Sequence, residues 1–401
     1  MIRTSRRLAS IDAFRAITML LMIFVNDLAI VEKVPAWLEH AGDGEDRLGL
    51  ADTVFPAFLF IVGLSIPFAI RGLESKGMSK NRILGNILSR SFALLVMGIY
   101  AVNYEEYTAG PAVIGQYAWL LLATIGFFFI WLNYPPEWSG VRKWALRSVG
   151  ILLLVMLAAI YKGGKPQHPH WMETFWYGIL GLIGWAYLCC AVLYLYIRDR
   201  LGILGITFLF FLGLSIAANY HGWLGKVLPS HEWMWFMDSG GLPAFTMAGV
   251  MTGIFYSRWT EQGRAQQSLV LVLMSLIAPV LLAAGFVLRP LGGIAKLGDT
   301  PSWILICTAI SIASFGVLAY VVDLKGKDKW YAFIRPAGTS TLTCYLLSYI
   351  HYCIFRMLPE SWRLPLVLRT GDIGIIKSMV FAFLIVWVTG LLEKNKIRLS
   401  V

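Results

Sequence analysis

The sequence predicts an all-α fold, a polytopic integral membrane helical bundle with about 11–12 transmembrane helices. Two observations predict it. Of the 401 residues, 58% are hydrophobic and only 14% are charged, against roughly 45–50% and 25% in an ordinary soluble domain. The hydrophobic residues also fall into blocks, such as 51–70, 115–132, 269–288 and 378–392. Each block has about the 20 residues that a helix needs to cross a bilayer.

Twelve apolar segments give the predicted spans. They cover residues 12–31, 51–70, 88–104, 115–133, 146–161, 175–197, 202–219, 241–257, 268–288, 302–322, 339–357 and 374–392. The first has a basic start and an apolar run like a signal peptide, but it ends at Asn26-Asp27 without a small-residue cleavage site. We therefore expect it to be retained as the first span. Because every loop is shorter than about 25 residues, residues 1–401 are predicted to form a single transmembrane domain.

The basic residues predict which ends of the spans face the cytoplasm. With a cytoplasmic N-terminus, clusters such as "RTSRR", "VRKWALR", "DLKGKDKWYAFIR" and "EKNKIR" all fall on the inner side. Inner loops then hold roughly twice as many cations as outer loops, the direction that the positive-inside rule requires. This rule accounts for the net charge of +11 without a nucleic-acid partner. We expect a multi-pass protein in the lipid bilayer of a bacterial inner (cytoplasmic) membrane.

Metal and disulfide chemistry are not expected. The five cysteines all lie inside apolar blocks, where they are typical of small hydrophobic residues. The acidic stretch "GDGED" at residues 42–46 lacks the ligand and glycine register of an EF-hand loop. No metal site is therefore predicted.

The first span carries polar residues at both of its ends. Asp12 and Arg15 are three residues apart at the cytoplasmic end, so they share a helical face and are expected to pair. Asn26 and Asp27 lie at the outer end, about 21 Å further along the helix. Ionisable residues in membrane spans usually face the interior of the bundle and mark function.

A histidine and a carboxylate lie in and beside the next outer loop. His40 belongs to this loop, and Asp52 follows in the first turn of the second span. A histidine beside a carboxylate and an amide is suited to act as a general base, or as a nucleophile that accepts an acyl group. The alternative is an ordinary loop histidine with helix-capping acids, and the spacing alone leaves both interpretations open.

Three further candidates lie in the outer stretch "RPLGGIAKLGDTPSW". Arg289 and Lys296 are cations on the side that otherwise has few, and such exceptions often mark function. The alternative is that both cations simply extend towards the membrane surface. Trp303 ends the stretch.

Aromatic and polar residues form two other patterns. Outer aromatic residues indicate either an interfacial belt or a platform for stacking sugars; they are Trp37, Tyr104, Tyr107, Trp171, Trp223, Trp233 and Trp235. In the eleventh span, a polar stripe at helical spacing is typical of an interhelical network; it consists of Tyr345, Ser348, His351 and Tyr352.

Two stretches of the chain carry a family resemblance. The first is "RLASIDAFRAITMLLMIFVND", followed by a histidine-bearing loop and "LADTVFPAFLFIVGLSI". The second comprises Pro290, Lys296, Thr300, Ser302 and Trp303, followed by "YVVDLKG" and "RPAGTSTLTCY". These stretches resemble the heparan-α-glucosaminide N-acetyltransferase family of transmembrane acetyltransferases, including its bacterial members.

The resemblance implies an acyl-CoA-dependent N-acetyltransferase. Such an enzyme moves an acetyl group from cytoplasmic acetyl-CoA, its co-substrate, to the amine of glucosamine or a related amino sugar or glycan. The catalytic residue would be His40, as base or acetyl acceptor, with Asn26 and Asp52 beside it. Substrate- or cofactor-binding roles are expected for Asp12, Arg15, Asp27, Arg289, Lys296 and Trp303.

The charge distribution and the resemblance together suggest a route for the donor. Since the cations gather at the cytoplasmic face, the phosphates of CoA are expected to enter there, with the thioester reaching His40 through a tunnel in the bundle. A sugar transporter without acyl-transfer chemistry is the alternative, although no internal repeat of the transporter kind is detectable. A homodimer is left open as the oligomeric state.

Overall fold

The computed structural model describes residues 8–108, 113–165, 168–176, 178–220, 239–260, 264–359, 362 and 365–400. Within these ranges almost all of the regular secondary structure is helical. The helices are α1 (Ala9–Leu28), α2 (Leu50–Glu74), α3 (Lys80–Asn103), α4 (Gln116–Trp131), α5 (Gly140–Ala159), α6 (Ile179–Ile197), α7 (Leu201–Asn219), α8 (Gly241–Thr260), α9 (Arg264–Val287), α10 (Pro301–Leu318), α11 (Arg335–Thr339), α12 (Thr341–Met357) and α13 (Gly371–Lys394).

A few short elements complete the described part of the chain. Strands β1 (Gly163–Lys165) and β2 (His168–His170) pair antiparallel between α5 and α6. Helix α10 continues into a π-helical turn, Ala319–Leu324, and 3₁₀ turns cover Lys329–Tyr331 and Leu366–Arg369.

The fold class predicted from the sequence is confirmed. Each of the twelve predicted spans overlaps one of the long helices, and α11 is a short helix that precedes the eleventh span. Among the described residues, eight helices are long and apolar enough to cross a membrane. Some helices extend beyond their predicted spans: α3 begins at Lys80 rather than near residue 88, since hydropathy marks the part suited to lipid and not the polar first turns. The protein is an all-α polytopic membrane bundle.

Consecutive long helices run in opposite directions, so the bundle has two ends. We call the end where α1 begins the N-side and the opposite end the distal side. On the N-side, Ser10 Oγ donates a hydrogen bond to Asp323 Oδ2 (2.5 Å), and Arg71 pairs with Asp199 (2.8 Å). On the distal side, the Glu32 amide donates to the carbonyl of Arg369 (2.8 Å). These contacts tie together helices that are far apart in the sequence.

Glycines allow α2 and α8 to pack with their backbones in contact. A Cβ atom on Gly63 would lie 1.8 Å from the carbonyl oxygen of Thr246, and one on Gly249 would lie 1.9 Å from that of Phe60. Close approach at small residues is the usual way in which membrane helices associate. This contact fixes the position of α2, the helix that carries Asp52.

Candidate active site

His40 is held by a buried carboxylate at the distal side. Its Nδ1 lies 2.7 Å from Oδ1 of Asp52, which is 1% exposed. The other oxygen, Oδ2, accepts hydrogen bonds from the backbone amides of Ala41 (2.9 Å) and Gly49 (3.1 Å). Three donors therefore converge on Asp52, and the carboxylate has little freedom to turn.

This geometry defines the tautomer of the histidine. The two backbone N–H groups can only donate, so Asp52 acts as an acceptor, and His40 Nδ1 donates the third hydrogen bond. The lone pair of the imidazole then lies on Nε2, the form needed in a general base or a nucleophile. The His40 side chain is 42% exposed, so the ring is not sealed inside the protein.

Arg47 organises the loop that presents the histidine. Its guanidinium donates to the carbonyls of His40 (2.9 Å) and Ala36 (2.6 Å) and pairs with Glu45 (2.6 Å). The Gly42 amide and then Arg47 hold the pKa of Glu45 below its usual range. Sequence reasoning missed Arg47, because a loop arginine beside acids gives no signal that it binds backbone carbonyls.

Gly49 lets the same loop lie against the start of α2. A Cβ atom at this position would be 1.7 Å from the carbonyl oxygen of Glu39. The following amide, of Leu50, donates to the carbonyl of Trp37 (2.7 Å). The segment before His40 is thus held by a hydrogen bond against the first turn of α2, the helix that carries Asp52.

The two candidate clusters predicted from the sequence meet at this site. Asp46 pairs with Arg289 (2.8 Å) and also accepts a hydrogen bond from the Ile294 amide (2.7 Å). The Ile294 amide and then Arg289 lower the pKa of Asp46 from its ordinary value. Arg289 therefore fixes the loop before α10 against the loop of His40, and a direct contact of Arg289 with substrate stays a prediction.

Lys296 brings a positive charge to the imidazole. Its Nζ lies 3.4 Å from His40 Nδ1. Burial lowers the pKa of Lys296, while the carboxylates of Asp52 and Asp299 oppose that shift. An ammonium beside the ring disfavours a second positive charge there. Lys296 is therefore placed to interact electrostatically with the ring.

Trp303 contacts the backbone of Asp52. It is 1% exposed, its ring nitrogen donates to the backbone carbonyl of Asp52 (3.1 Å), and its ring packs edge-on against Phe245 with centroids 4.9 Å apart. The structure therefore gives Trp303 a supporting contact. Its predicted contact with a ligand stays a prediction.

Asn26 and Asp27, at the distal end of α1, are not joined to the histidine. Asp27 is buried and pairs with Lys377 (2.5 Å), while Tyr352 donates to its second oxygen (3.2 Å). This contact confirms the predicted interhelical role of Tyr352. Asn26 is half-buried, and within the described residues its amide forms no hydrogen bond with His40. The binding and catalytic roles of both residues stay predictions.

The N-side contains a basic cavity. Asp12 and Arg15 pair as predicted (3.5 Å), and Arg15 also donates to Ser65 Oγ (2.6 Å). Arg15, Arg90 and Arg398 line a cavity of about 590 Å³. Its lining runs from Leu8, directly before α1, to Met22 on α1, a rise of about 21 Å.

Within the described residues, the N-side cavity does not extend to the histidine, and the tunnel stays a prediction. Neither His40, Asn26 nor Asp52 is part of the cavity lining. On α1 the lining stops at Met22, one helical turn before Asn26. Hydropathy and charge located the two polar ends of the bundle, but the packing between them depends on side chains from several helices.

The outer aromatic residues are only partly described. Trp37 and Trp171 are 65% and 63% exposed, whereas Tyr107 is buried. Trp223, Trp233 and Trp235 lie outside the described residues. In the described part of the chain, no three or more His, Cys, Asp or Glu side chains converge as metal ligands would.

Comparisons with known proteins bear on this arrangement. A family model described as "Domain of unknown function (DUF5009)" matches residues 7–237, more than half of the chain. The chain is 42% identical to heparan-alpha-glucosaminide N-acetyltransferase of Homo sapiens over 106 residues, which make up 26% of this chain and 15% of that protein. It is 36% identical to the enzyme of the same name from Mus musculus over 111 residues, 27% of this chain and 16% of that protein. The resemblance seen in the sequence motifs is thus supported over about a quarter of the chain, which spans less than a fifth of either relative's length.

Proposed function

The chain belongs to the DUF5009 family, and we propose that it is a transmembrane acetyltransferase that uses acetyl-CoA to acetylate the amine of glucosamine or a related amino sugar or glycan. The observation that carries this proposal is the His40 ring, hydrogen-bonded to a buried carboxylate at the end of the bundle opposite an arginine-lined cavity. The names of the human and mouse relatives point to the same reaction class.

The N-side cavity suits the nucleotide end of acetyl-CoA. Three arginines line it, and guanidinium groups bind phosphates through paired, charge-assisted hydrogen bonds. Its volume of about 590 Å³ falls within the roughly 300–1,000 Å³ of ligand sites. In this proposal Arg15, Arg90 and Arg398 hold the phosphates.

The chemistry of the distal site fits amine acetylation. His40 Nε2 takes a proton from the acceptor's amine as the nitrogen attacks the thioester carbonyl. A C–N bond forms, the C–S bond breaks, and CoA leaves as the thiolate. Asp52 stabilises the imidazolium that results, and in this proposal Asn26, one helical turn beyond the cavity lining on α1, donates a hydrogen bond to the carbonyl oxygen.

A second route uses His40 as a nucleophile. Nε2 then attacks the thioester, CoA leaves, and the acetyl group rests on the ring before the amine takes it. Both routes need the same neutral imidazole and the same carboxylate. They differ only in whether acetyl-histidine forms without an acceptor.

In this proposal the thioester of acetyl-CoA has to pass from the end of the cavity, at Met22 of α1, to the level of Asn26 before it can reach His40. Tyr345 lines the cavity, and its hydroxyl is hydrogen-bonded to that of Tyr349 (3.0 Å), one turn further along α12. We place the barrier between cavity and histidine at this pair, so that the pantetheine arm reaches His40 when the two side chains separate.

The proposed orientation puts the N-side in the cytoplasm of a bacterium. The N-side carries the basic stretches around residues 141–147, 325–335 and 394–398, as the positive-inside rule requires of a cytoplasmic face. Cytoplasmic acetyl-CoA would then reach the arginines directly, and the acceptor would meet His40 from the other side of the inner membrane.

The test is acetyl transfer by the purified full-length protein in lipid nanodiscs. With radiolabelled acetyl-CoA and glucosamine, we expect labelled N-acetylglucosamine and an equal amount of free CoA thiol. His40→Ala should lower kcat by about 10²–10⁴, the usual contribution of a general base. His170→Ala is the matched control, because His170 is another distal histidine beside a carboxylate, Glu173 (3.5 Å).

Two outcomes would contradict the proposal: no transfer by the wild type, or equal loss in the two histidine variants. Incubation without an acceptor separates the routes, because only the nucleophilic route leaves an acetyl group on His40, seen by mass spectrometry. Uptake of labelled sugar into proteoliposomes without acetyl-CoA would instead indicate a transporter.

A further inference from the structure

An apolar groove runs between α9 and α10, away from the candidate active site. Its volume is about 680 Å³. Six of the lining residues are small, which makes room between the two helices; they are Ser268, Ser275, Ala278, Ala309, Ala313 and Gly316. Ser275 and Ala313 are exposed, so the groove opens on the outer surface of the bundle.

The groove lies where the protein faces lipid. Helices α9 and α10 are both long and apolar enough to cross a membrane. Large apolar side chains beside the groove are exposed, including Val272 (53%) and Val317 (62%). On α9 the lining runs from Ser268 to Leu282, about 21 Å of helix. One leaflet's hydrocarbon layer is about 15 Å thick, half of the bilayer core, so the groove is long enough for an acyl chain.

A positive charge lies at the N-side end of the groove. Tyr320 and Leu324 line this end, and Lys325 follows directly. The Lys325 ammonium lies over the Tyr320 ring, 5.3 Å from its centroid. The nearby carboxylate of Asp323 accepts hydrogen bonds from Ser10 and Tyr256. Within the described residues, Lys325 forms no salt bridge.

We propose that this groove binds an anionic phospholipid, with its phosphate at Lys325 and one acyl chain between α9 and α10. The order of features along the helices matches such a lipid: a cation at the level of the membrane surface, then an amphipathic tyrosine, then an apolar trough. Basic residues just beyond a span attract anionic lipids, and tyrosine is favoured at headgroup level. Lys327 and Lys329 add positive charge to the same segment. A second copy of this chain could pack against the small residues, but such a contact would not account for the charge of Lys325.

The experiment measures lipid retention by native mass spectrometry. The full-length protein is delipidated in detergent and titrated with phosphatidylglycerol or phosphatidylcholine of the same acyl chains. We expect one phosphatidylglycerol to bind about fivefold more tightly than phosphatidylcholine, the preference that one lysine near a membrane surface gives. Lys325→Gln should reduce the preference, whereas Ser275→Leu and Ala313→Leu should weaken the binding of both lipids by filling the groove.

Lys143→Gln is the matched control. Lys143 is another N-side lysine, which donates to the carbonyl of Pro136 (3.2 Å) and does not line the groove, so the variant should behave like the wild type. The filled positions are exposed, and an unchanged melting temperature checks that each variant folds. Equal binding of both lipids by the wild type, or an unaltered preference in Lys325→Gln, would overturn the proposal. A dimer that is lost in Ala313→Leu while lipid binding persists would assign the groove to a second copy, and would overturn it as well.

Discussion

The two polar ends of α1 are built in different ways. At the distal side, one imidazole is fixed by a buried carboxylate, and that carboxylate is held by two backbone amides. At the N-side, Arg15, Arg90 and Arg398 line a cavity of about 590 Å³. One end fixes the direction of a single ring, whereas the other offers positive charge over a wide surface.

This difference matches two kinds of task. Proton transfer or acyl transfer depends on a lone pair placed within a few tenths of an ångström, and a network of short hydrogen bonds provides that. Binding of a flexible anion depends on charge in a confined volume, and spread arginines provide that. Substitutions at the distal side should therefore act mainly on kcat, and those at the N-side mainly on the KM for the donor.

The largest expected effect is that of Asp52→Asn. The amide of asparagine offers one acceptor oxygen to three donors, so the His40 ring is no longer held with its lone pair on Nε2. We expect kcat to fall by about 10²–10⁴ with little change in the KM for acetyl-CoA, measured by steady-state acetyl transfer to glucosamine.

Asp43→Asn is the control for this variant, since Asp43 is an exposed acid of the same loop and should tolerate the change. A uniform rise in KM in Asp52→Asn, with kcat preserved, would show that the carboxylate binds substrate and does not orient the histidine.

A smaller effect is expected from Arg90→Gln in the cavity. The guanidinium of Arg90 lies 4.8 Å from the centroid of the Tyr187 ring, and both residues line the cavity. A lost charge-assisted hydrogen bond costs about 1.5–3 kcal/mol, so the KM for acetyl-CoA should rise about 10–100-fold while kcat stays within about twofold.

Acetylpantetheine sharpens this test, because it carries the thioester without the nucleotide. Its KM should be the same in the wild type and in Arg90→Gln. Arg82→Gln, an exposed arginine two turns earlier on α3 that does not line the cavity, should leave both substrates unaffected. A loss of activity with acetylpantetheine would place Arg90 at the reacting end of the donor.

The sequence predicted the local features of this protein better than the contacts between residues far apart in the chain. The twelve spans follow from hydropathy, and the His40–Asp52 contact (2.7 Å) joins residues only 12 apart, with the helix start between them. The Asp46–Arg289 contact joins residues 243 apart, and the Asp27–Lys377 contact joins residues 350 apart. No periodicity signals such pairs, because they depend on which helices become neighbours. The end of the N-side cavity short of the histidine has the same cause, since the interior of a bundle is shaped by side chains from several helices at once.

The smallest expected effect is that of Lys296→Met. Lys296 is a cation like the arginines of the N-side cavity, but it lies beside the histidine at the distal side. Burial lowers the pKa of Lys296 from its ordinary value of 10.5, and below that lowered pKa the side chain is an ammonium. The protonated side chain lies 3.4 Å from His40 Nδ1 and opposes a second positive charge there. Removal of the charge by Lys296→Met should therefore move the acid limb of the kcat profile to higher pH. Lys296→Arg keeps the charge and should leave that limb in place.

If Lys296→Met left the limb unchanged, or moved it to lower pH, then the ammonium would not govern the charge of the imidazole, and the distal side would be controlled by Asp52 alone.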